Sequence, residues 1–132
     1  FIPTQQDYNE TTIMIRRVVL DLLSIGRNVI LVAHSVEKQD GADGPTFIRP
    51  NMTPALAGAL FGLVDIMAFM KYDARKQDRT FYFEATHTIL AKHRYAEFLP
   101  PSAKDVTFNQ LIKAKKKFHE ALNAKENANG NS

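Results

Sequence analysis

The side chains best placed to do chemistry in this sequence are one histidine and two cations. His34 closes the run Asn28-Val-Ile-Leu-Val-Ala-His34, in which Val29 to Val32 are all β-branched or leucine. Such a run predicts a strand buried on both faces, as in a parallel sheet covered by helices. A polar residue at the C-terminal end of that strand stands where open α/β sheets bind ligands. There His34 would donate a hydrogen bond to a phosphate oxygen or position a water; the alternative is a structural histidine. Lys92 and Arg94, at i and i+2 on a strand, point to the same side. That suits a phosphate contact, and the alternative is a charged strand edge that blocks aggregation.

A second group is electrostatic. Lys113, Lys115, Lys116 and Lys117 cluster near the C-terminus. Contact with nucleic-acid phosphates would release a counterion at each lysine; otherwise the cluster is the solvated face of a helix. Other chemistries find no support. His87, His93 and His119 have no metal-ligand spacing with one another or with His34, so no metal site is expected. There is no Gly-x-Ser-x-Gly elbow, and no Gly-x-Gly-x-x-Gly or Gly-x-x-x-x-Gly-Lys-Ser/Thr loop. Asp65 and Glu84 are lone acids in or beside strands, with no catalytic partner in the sequence.

The bulk properties limit the classes available. At 132 residues the chain is long enough for one domain with a real core, and 45% hydrophobic residues excludes a disordered chain. The absence of cysteine excludes disulfide and zinc-thiolate scaffolds. A net charge of +3 and a pI of about 9.2 make the chain mildly basic. No stretch has the length of a membrane span and no signal segment is present, so no membrane partner is expected and the location expected is cytoplasmic. The opening Phe1-Ile-Pro-Thr-Gln-Gln reads as a loop entered from upstream sequence, as in a fragment or a processed chain.

The elements that must position these groups follow from periodicity. Asp7-Tyr-Asn-Glu10 has the form of a capping box. Ile15, Val18, Val19, Leu22 and Leu23 then recur at helical spacing, and Gly26 is a natural stop. Helix, turn and buried strand would form half of a βαβ unit. From Ser35 to Pro50, with Asp40-Gly-Ala-Asp-Gly-Pro45 at its centre, the sequence predicts a long polar loop. Thr53 and Pro54 predict the start of a short helix with Leu56, Leu60, Phe61 and Leu63 on its apolar side. Asp65 to Tyr72 and Thr80 to Ala85 read as strands of a hairpin around a charged turn, with a further short strand towards Lys92. A second amphipathic helix is expected from Asn109 to about Leu122, and disorder from Ala124 to Ser132.

In order, an amphipathic helix, "RNVILVAHS", a glycine-rich loop, "RPNMTPALAGALFGLVDIMAFM", a charged hairpin and "AKHRYAEFLP" resemble the C-terminal half of RecA-like P-loop ATPases. The likeness is strongest to small phage-encoded nucleotide-binding proteins linked to single-strand annealing recombination, and it spans roughly Asp7 to Pro101. The resemblance implies an α/β fold: a partial RecA-like sheet with flanking helices and a C-terminal β-hairpin, lacking the Walker A half. It implies that His34 senses the γ-phosphate and that Lys92 and Arg94 reach the nucleotide of a neighbouring subunit in a homo-oligomer, so that their side chains would project from the sheet without an internal carboxylate partner; the structural alternative is that both cations are paired within the chain. It assigns no role to Asp65. The loop from Ser35 to Arg49 falls where the family carries a mobile DNA-binding loop, although Glu37, Asp40 and Asp43 make it acidic. ATP and magnesium are implied by the resemblance alone, because the Walker A loop and Walker B acid would lie ahead of Phe1 and are not in this chain.

The expectation is therefore the C-terminal portion of a phage-type RecA-like ATPase, acting on single-stranded DNA in recombination or repair and not catalytically competent alone. Residues 1–101 would be the ATPase-core portion, 102–123 the basic helix and 124–132 a disordered tail. A non-catalytic binding or oligomerisation module is the competing class, and an unrelated α/β domain with a structural His34 is a third.

Overall fold

Thr4 starts the first helix, α1 (Gln5–Ser24). Its hydroxyl accepts a hydrogen bond from the Asp7 N–H at 3.3 Å, and the Asp7 carboxylate accepts one from the Thr4 N–H at 2.6 Å. This capping box lies one turn earlier than the Asp7–Glu10 box expected from sequence. It holds the Asp7 carboxyl below its ordinary range, first through the backbone N–H of Thr4 and then through its hydroxyl. Gly26, at φ +73°, ends the helix in the left-handed region that glycine enters without a steric penalty. The computed structural model describes residues 2–39 and 41–130, which divide into two units, one ending at Val64 and the other beginning at Asp65.

In the first unit, the short helix α2 (Pro54–Leu63) begins as the sequence predicts, with Thr53 Oγ1 accepting from the Leu56 N–H at 3.3 Å and Pro54 at the first position. Leu56 and Leu60 of α2 close over Val19 of α1, with Met52 and Leu63 packed beside them. Of the expected α1 stripe, Val19 alone is buried. Ile15, Val18, Leu22 and Leu23 are exposed, because the two leucines of α2 cover only one line of that helix.

The sequence expectation fails most clearly at Asn28–His34. No strand forms there. Ile30 and Val32 are 68% and 92% exposed, and among the described residues no backbone hydrogen bond reaches Arg27 to Ala33. Composition makes a run competent for a sheet, but a ladder needs a second strand to receive its N–H and C=O groups, and among the described residues no strand pairs with this run: the two strands that follow it pair only with each other. The polar loop expected after it is instead a hairpin of β1 (Ser35–Gln39) and β2 (Thr46–Pro50), antiparallel from Ser35↔Pro50 to Gln39↔Thr46. The turn residues are fewer than they look in sequence, so strand pairing extends to both sides of them. Gly41, at φ +78°, supplies the left-handed turn position. Asp40, part of that predicted loop, lies outside the described residues.

The second unit contains β3 (Ile66–Met67), β4 (Phe69–Asp73), β5 (Asp78–Tyr82), β6 (Lys92–His93), β7 (Ser102–Lys104) and α3 (Phe108–Gly130), with a 3-10 turn at Ala96–Phe98. The expected hairpin is present as β4–β5, in register from Phe69↔Tyr82 to Asp73↔Asp78. The single strand expected over Asp65–Tyr72 is broken at Ala68: β3 pairs with β6, and β4 pairs with β5. β7 extends the hairpin into a three-stranded sheet. Its exit is fixed by Asp105, whose N–H donates to the Arg79 carbonyl at 2.7 Å and whose carboxylate accepts from the Arg79 N–H at 3.0 Å. The core is Phe83, Tyr95, Leu99 and Ala114, with Phe81, Ala103 and Phe118 among the side chains packed on it.

The fold is thus of the mixed α/β class expected, but every strand pair among the described residues is antiparallel. Thr107 and Gln110 cap α3 reciprocally: the Thr107 N–H donates to the Gln110 amide oxygen at 2.8 Å, and the Gln110 N–H donates to the Thr107 hydroxyl at 3.4 Å. The helix then continues to Gly130, so the disordered tail expected from Ala124 is helical over its described residues. Ala121, Ala124, Lys125, Glu126 and Ala128 are all residues of high or fair helix propensity, and no proline or glycine interrupts them. Asn131 and Ser132 lie outside the described residues.

Ala96 stands at φ +46°, a left-handed conformation that costs an L-residue roughly 1–2 kcal/mol. Ala96→Gly removes the Cβ clash and adds chain entropy to the unfolded state. The net expectation is a gain of about 0.5–1 kcal/mol in urea unfolding, and a loss would show that the turn depends on the alanine methyl.

Candidate functional site

Antiparallel pairing of β3 with β6 sets Ile66 opposite His93 and Met67 opposite Lys92. Continuing that register by one residue sets Asp65 opposite Arg94. Their side chains meet at 3.5 Å, each about half exposed, at 50% for Arg94 and 52% for Asp65. A solvated pair of this kind contributes at most about 1 kcal/mol, so it positions the guanidinium more than it stabilises the unit. The amine of Lys92 sits below its ordinary range, first because of partial burial and then because of the Arg94 charge, with Asp65 opposing both. Burial followed by the Asp65 carboxylate pushes the Tyr95 phenol up. Asp65, Lys92, Arg94 and Tyr95 therefore form one electrostatic cluster at the end of a two-strand ladder.

His93 anchors the cluster from below. Its side chain is 6% exposed, with Nε2 at 3.4 Å from Glu84 Oε1. Nδ1 accepts a hydrogen bond from the Tyr95 N–H at 3.2 Å. With Nδ1 used as an acceptor, the neutral ring carries its proton on Nε2 and donates it to Glu84. Both ring nitrogens are occupied, so the ring fixes the turn that follows β6 and leaves no nitrogen for proton transfer. Sequence reasoning found the cations but missed this support. Glu84 and Asp65 looked like lone acids because their partners are nine and twenty-nine positions away, separations that no local pattern encodes.

The sequence-derived site residues fall into three places. His34 is exposed at the base of the β1–β2 hairpin, where its carbonyl accepts from the Asn51 N–H at 2.7 Å. It precedes a strand rather than ending a buried one, so the geometry expected for a phosphate sensor is not formed here. Lys92 and Arg94 do come together, but the expectation that the arginine would have no internal carboxylate partner is corrected by its pair with Asp65. That removes the geometric ground for assigning Arg94 as a trans phosphate contact. Lys113, Lys116 and Lys117 are exposed on α3, whereas Lys115 is half-buried. Lys116 lies 4.0 Å from Glu120, one turn on.

No group of three or more histidine or acidic side chains among the described residues could hold a metal ion. Asp65 is held by Arg94, and Asp73 is occupied by the N–H groups of Arg75 and Lys76 at 2.9 and 3.3 Å. A magnesium–nucleotide complex is held by a loop of backbone N–H groups and a lysine around its phosphates, and this sequence has no Gly-x-x-x-x-Gly-Lys-Ser/Thr loop, so the residues present do not fit it. Among the described residues no helix is long and apolar enough to cross a membrane.

A protein family described as an AAA domain matches residues 2–95. No curated protein and no solved structure matches the chain.

Proposed function

Because this chain belongs to the AAA domain family, whose members generally bind ATP with magnesium, we propose that it is the C-terminal portion of a phage-type RecA-like ATPase. In this reading it acts on single-stranded DNA during recombination or repair and has no complete nucleotide site of its own. The observation that carries the proposal is the run Val29–Ala33. It has the composition of a strand buried on both faces, yet among the described residues it has no backbone partner, and Ile30, Leu31 and Val32 are exposed. A P-loop-bearing sheet supplied on either side would complete it. The coding sequence upstream of Phe1 tests this directly: a Gly-x-x-x-x-Gly-Lys-Ser/Thr loop followed by an acid-ending strand supports the proposal, and an upstream region without them overturns it. The Arg94–Asp65 pair favours a second reading, a non-catalytic binding or oligomerisation module, because it leaves that cation tied within its own chain.

For the DNA part of the proposal, the exposed lysines of α3 give the expected result. Replacing Lys113, Lys115, Lys116 and Lys117 together by alanine should reduce the slope of log Kd against log salt for single strands. About 0.7 units are lost per phosphate contact, so three exposed lysines give roughly 2 units. An unchanged slope in fluorescence anisotropy would mark them as a solvated helix face.

A further inference from the structure

The run Asn28-Val-Ile-Leu-Val-Ala33 contains no charge, no proline and no glycine. High β-propensity without those interruptions lets a segment pair with another copy of itself. Ile30, Leu31 and Val32 are exposed, and among the described residues no backbone hydrogen bond reaches the run. Open N–H and C=O groups on such a segment are a template for a further strand. The edge strands already formed in the chain are guarded. β1 carries Glu37, β2 carries Arg49, β4 carries Lys71 and β7 carries Lys104, and charge on an edge blocks pairing with another chain. Asn28–Ala33 has no such guard.

We propose that Val29–Ala33 is a self-association strand, pairing antiparallel with the same run of a second copy of this chain and centred on Leu31. The run is complementary to itself in that register. Leu31 stands opposite the partner's Leu31, Ile30 opposite the partner's Val32, and Val29 opposite the partner's Ala33, so every pair is apolar. Moving the centre to Val32 would set Ile30 against the partner's His34, and moving it to Ile30 would set Val32 against the partner's Asn28. Charge fixes the direction. Arg27 precedes the run, and Glu37 follows it on the face shared with Ser35, while Lys38 alternates to the other face. Antiparallel pairing puts Arg27 opposite the partner's Ser35 and diagonal to the partner's Glu37, within reach of a long side chain. A parallel pair in register would set Arg27 against the partner's Arg27, and like charges directly opposite are destabilising. The inference goes beyond the reading of an incomplete ATPase core. A strand from an upstream sheet and a strand from a second copy would compete for this edge, and in the chain as it stands the second copy takes it.

The test uses the whole chain in sedimentation equilibrium from about 1 μM to about 1 mM, a range that resolves a weak contact. The wild-type mass should rise above that of the monomer with concentration. Leu31→Lys places two like charges opposite each other at the centre of the pair and should stay monomeric over that range. The chain has no cysteine of its own, so Leu31→Cys and Arg27→Cys each introduce a single thiol. Diamide, which takes two electrons and two protons from a thiol pair, should link Leu31→Cys into a disulfide dimer, because opposite residues lie about 4.5–5.5 Å apart at Cα. Arg27→Cys should stay unlinked, since antiparallel pairing holds the two thiols eight residues, roughly 27 Å, apart. A wild-type chain that is monomeric throughout overturns the proposal and leaves the ATPase reading standing. Undiminished association of Leu31→Lys places the contact elsewhere, and Arg27→Cys linking as fast as Leu31→Cys excludes the antiparallel register; either result overturns it. If circular dichroism finds Leu31→Lys unfolded, hydrogen exchange of the wild-type chain decides. Protection of the Val29–Ala33 amides that grows with concentration supports the pairing, and unprotected amides at the highest concentration overturn it.

Discussion

Incubated with ATP and magnesium, this chain is expected to release no phosphate above the blank. Phosphoryl transfer depends almost entirely on positioning and charge: a loop of backbone N–H groups and a lysine around the phosphates, and carboxylate or hydroxyl ligands to magnesium. The sequence contains no such loop. His34 is exposed at a hairpin base and Arg94 is occupied by Asp65, so neither substitutes for the missing parts. A single charge-stabilising arginine accounts for about 10³–10⁵ in rate in related enzymes, and here the whole cradle is lacking. A malachite-green or coupled assay checks this. Steady turnover that His34→Ala abolishes would place a working site in this chain and overturn both the expectation and the proposal of an incomplete core.

Phe83→Ala should be the most destabilising single substitution in the second unit. Phe83 is 1% exposed, at the centre of the cluster with Tyr95, Leu99 and Ala114, and its ring is near-parallel to that of Phe81 at 6.1 Å. Truncating a buried phenylalanine removes its transfer free energy and leaves a cavity, a cost of about 3–5 kcal/mol. Marginal stability leaves little in reserve against such a loss. The unfolding of α3, followed by far-ultraviolet circular dichroism in urea, should shift to a lower midpoint because Ala114, Leu111 and Phe118 hold that helix to the same core. Phe83→Leu, which keeps most of the volume, should recover much of the difference. An alanine variant with the wild-type midpoint would mean that the cluster does not hold the unit together.

The first unit leaves a sheet-competent run and most of the apolar face of α1 exposed, whereas the second unit closes a core of its own.

Local signals in the sequence determined the local structure. Helical spacing placed α1, although its cap lies at Thr4 rather than Asp7; a threonine cap placed α2, the Gly26 stop was correct, and alternating aromatic residues around a charged turn gave the β4–β5 hairpin. These features are set by residues within one turn or one strand of each other. The spacing of Lys92 and Arg94 puts the two charges within reach of each other, although Arg94 lies just past the end of β6.

Only tertiary structure decided which apolar residues are buried and which charges are paired. Val29 to Val32 have the composition of an interior strand, but hydrogen bonds to a neighbouring strand make a ladder, and that neighbour is not specified by the run itself. The segment from Ser35 to Pro50 looked like a loop because its turn residues dominate the composition, yet register between its two ends makes it a hairpin. Asp65 meets Arg94, and Glu84 meets His93, across separations that periodicity does not reach. Strand register brought these acids to their partners and decided the character of the site, turning a cation that sequence left open into one held by its own chain.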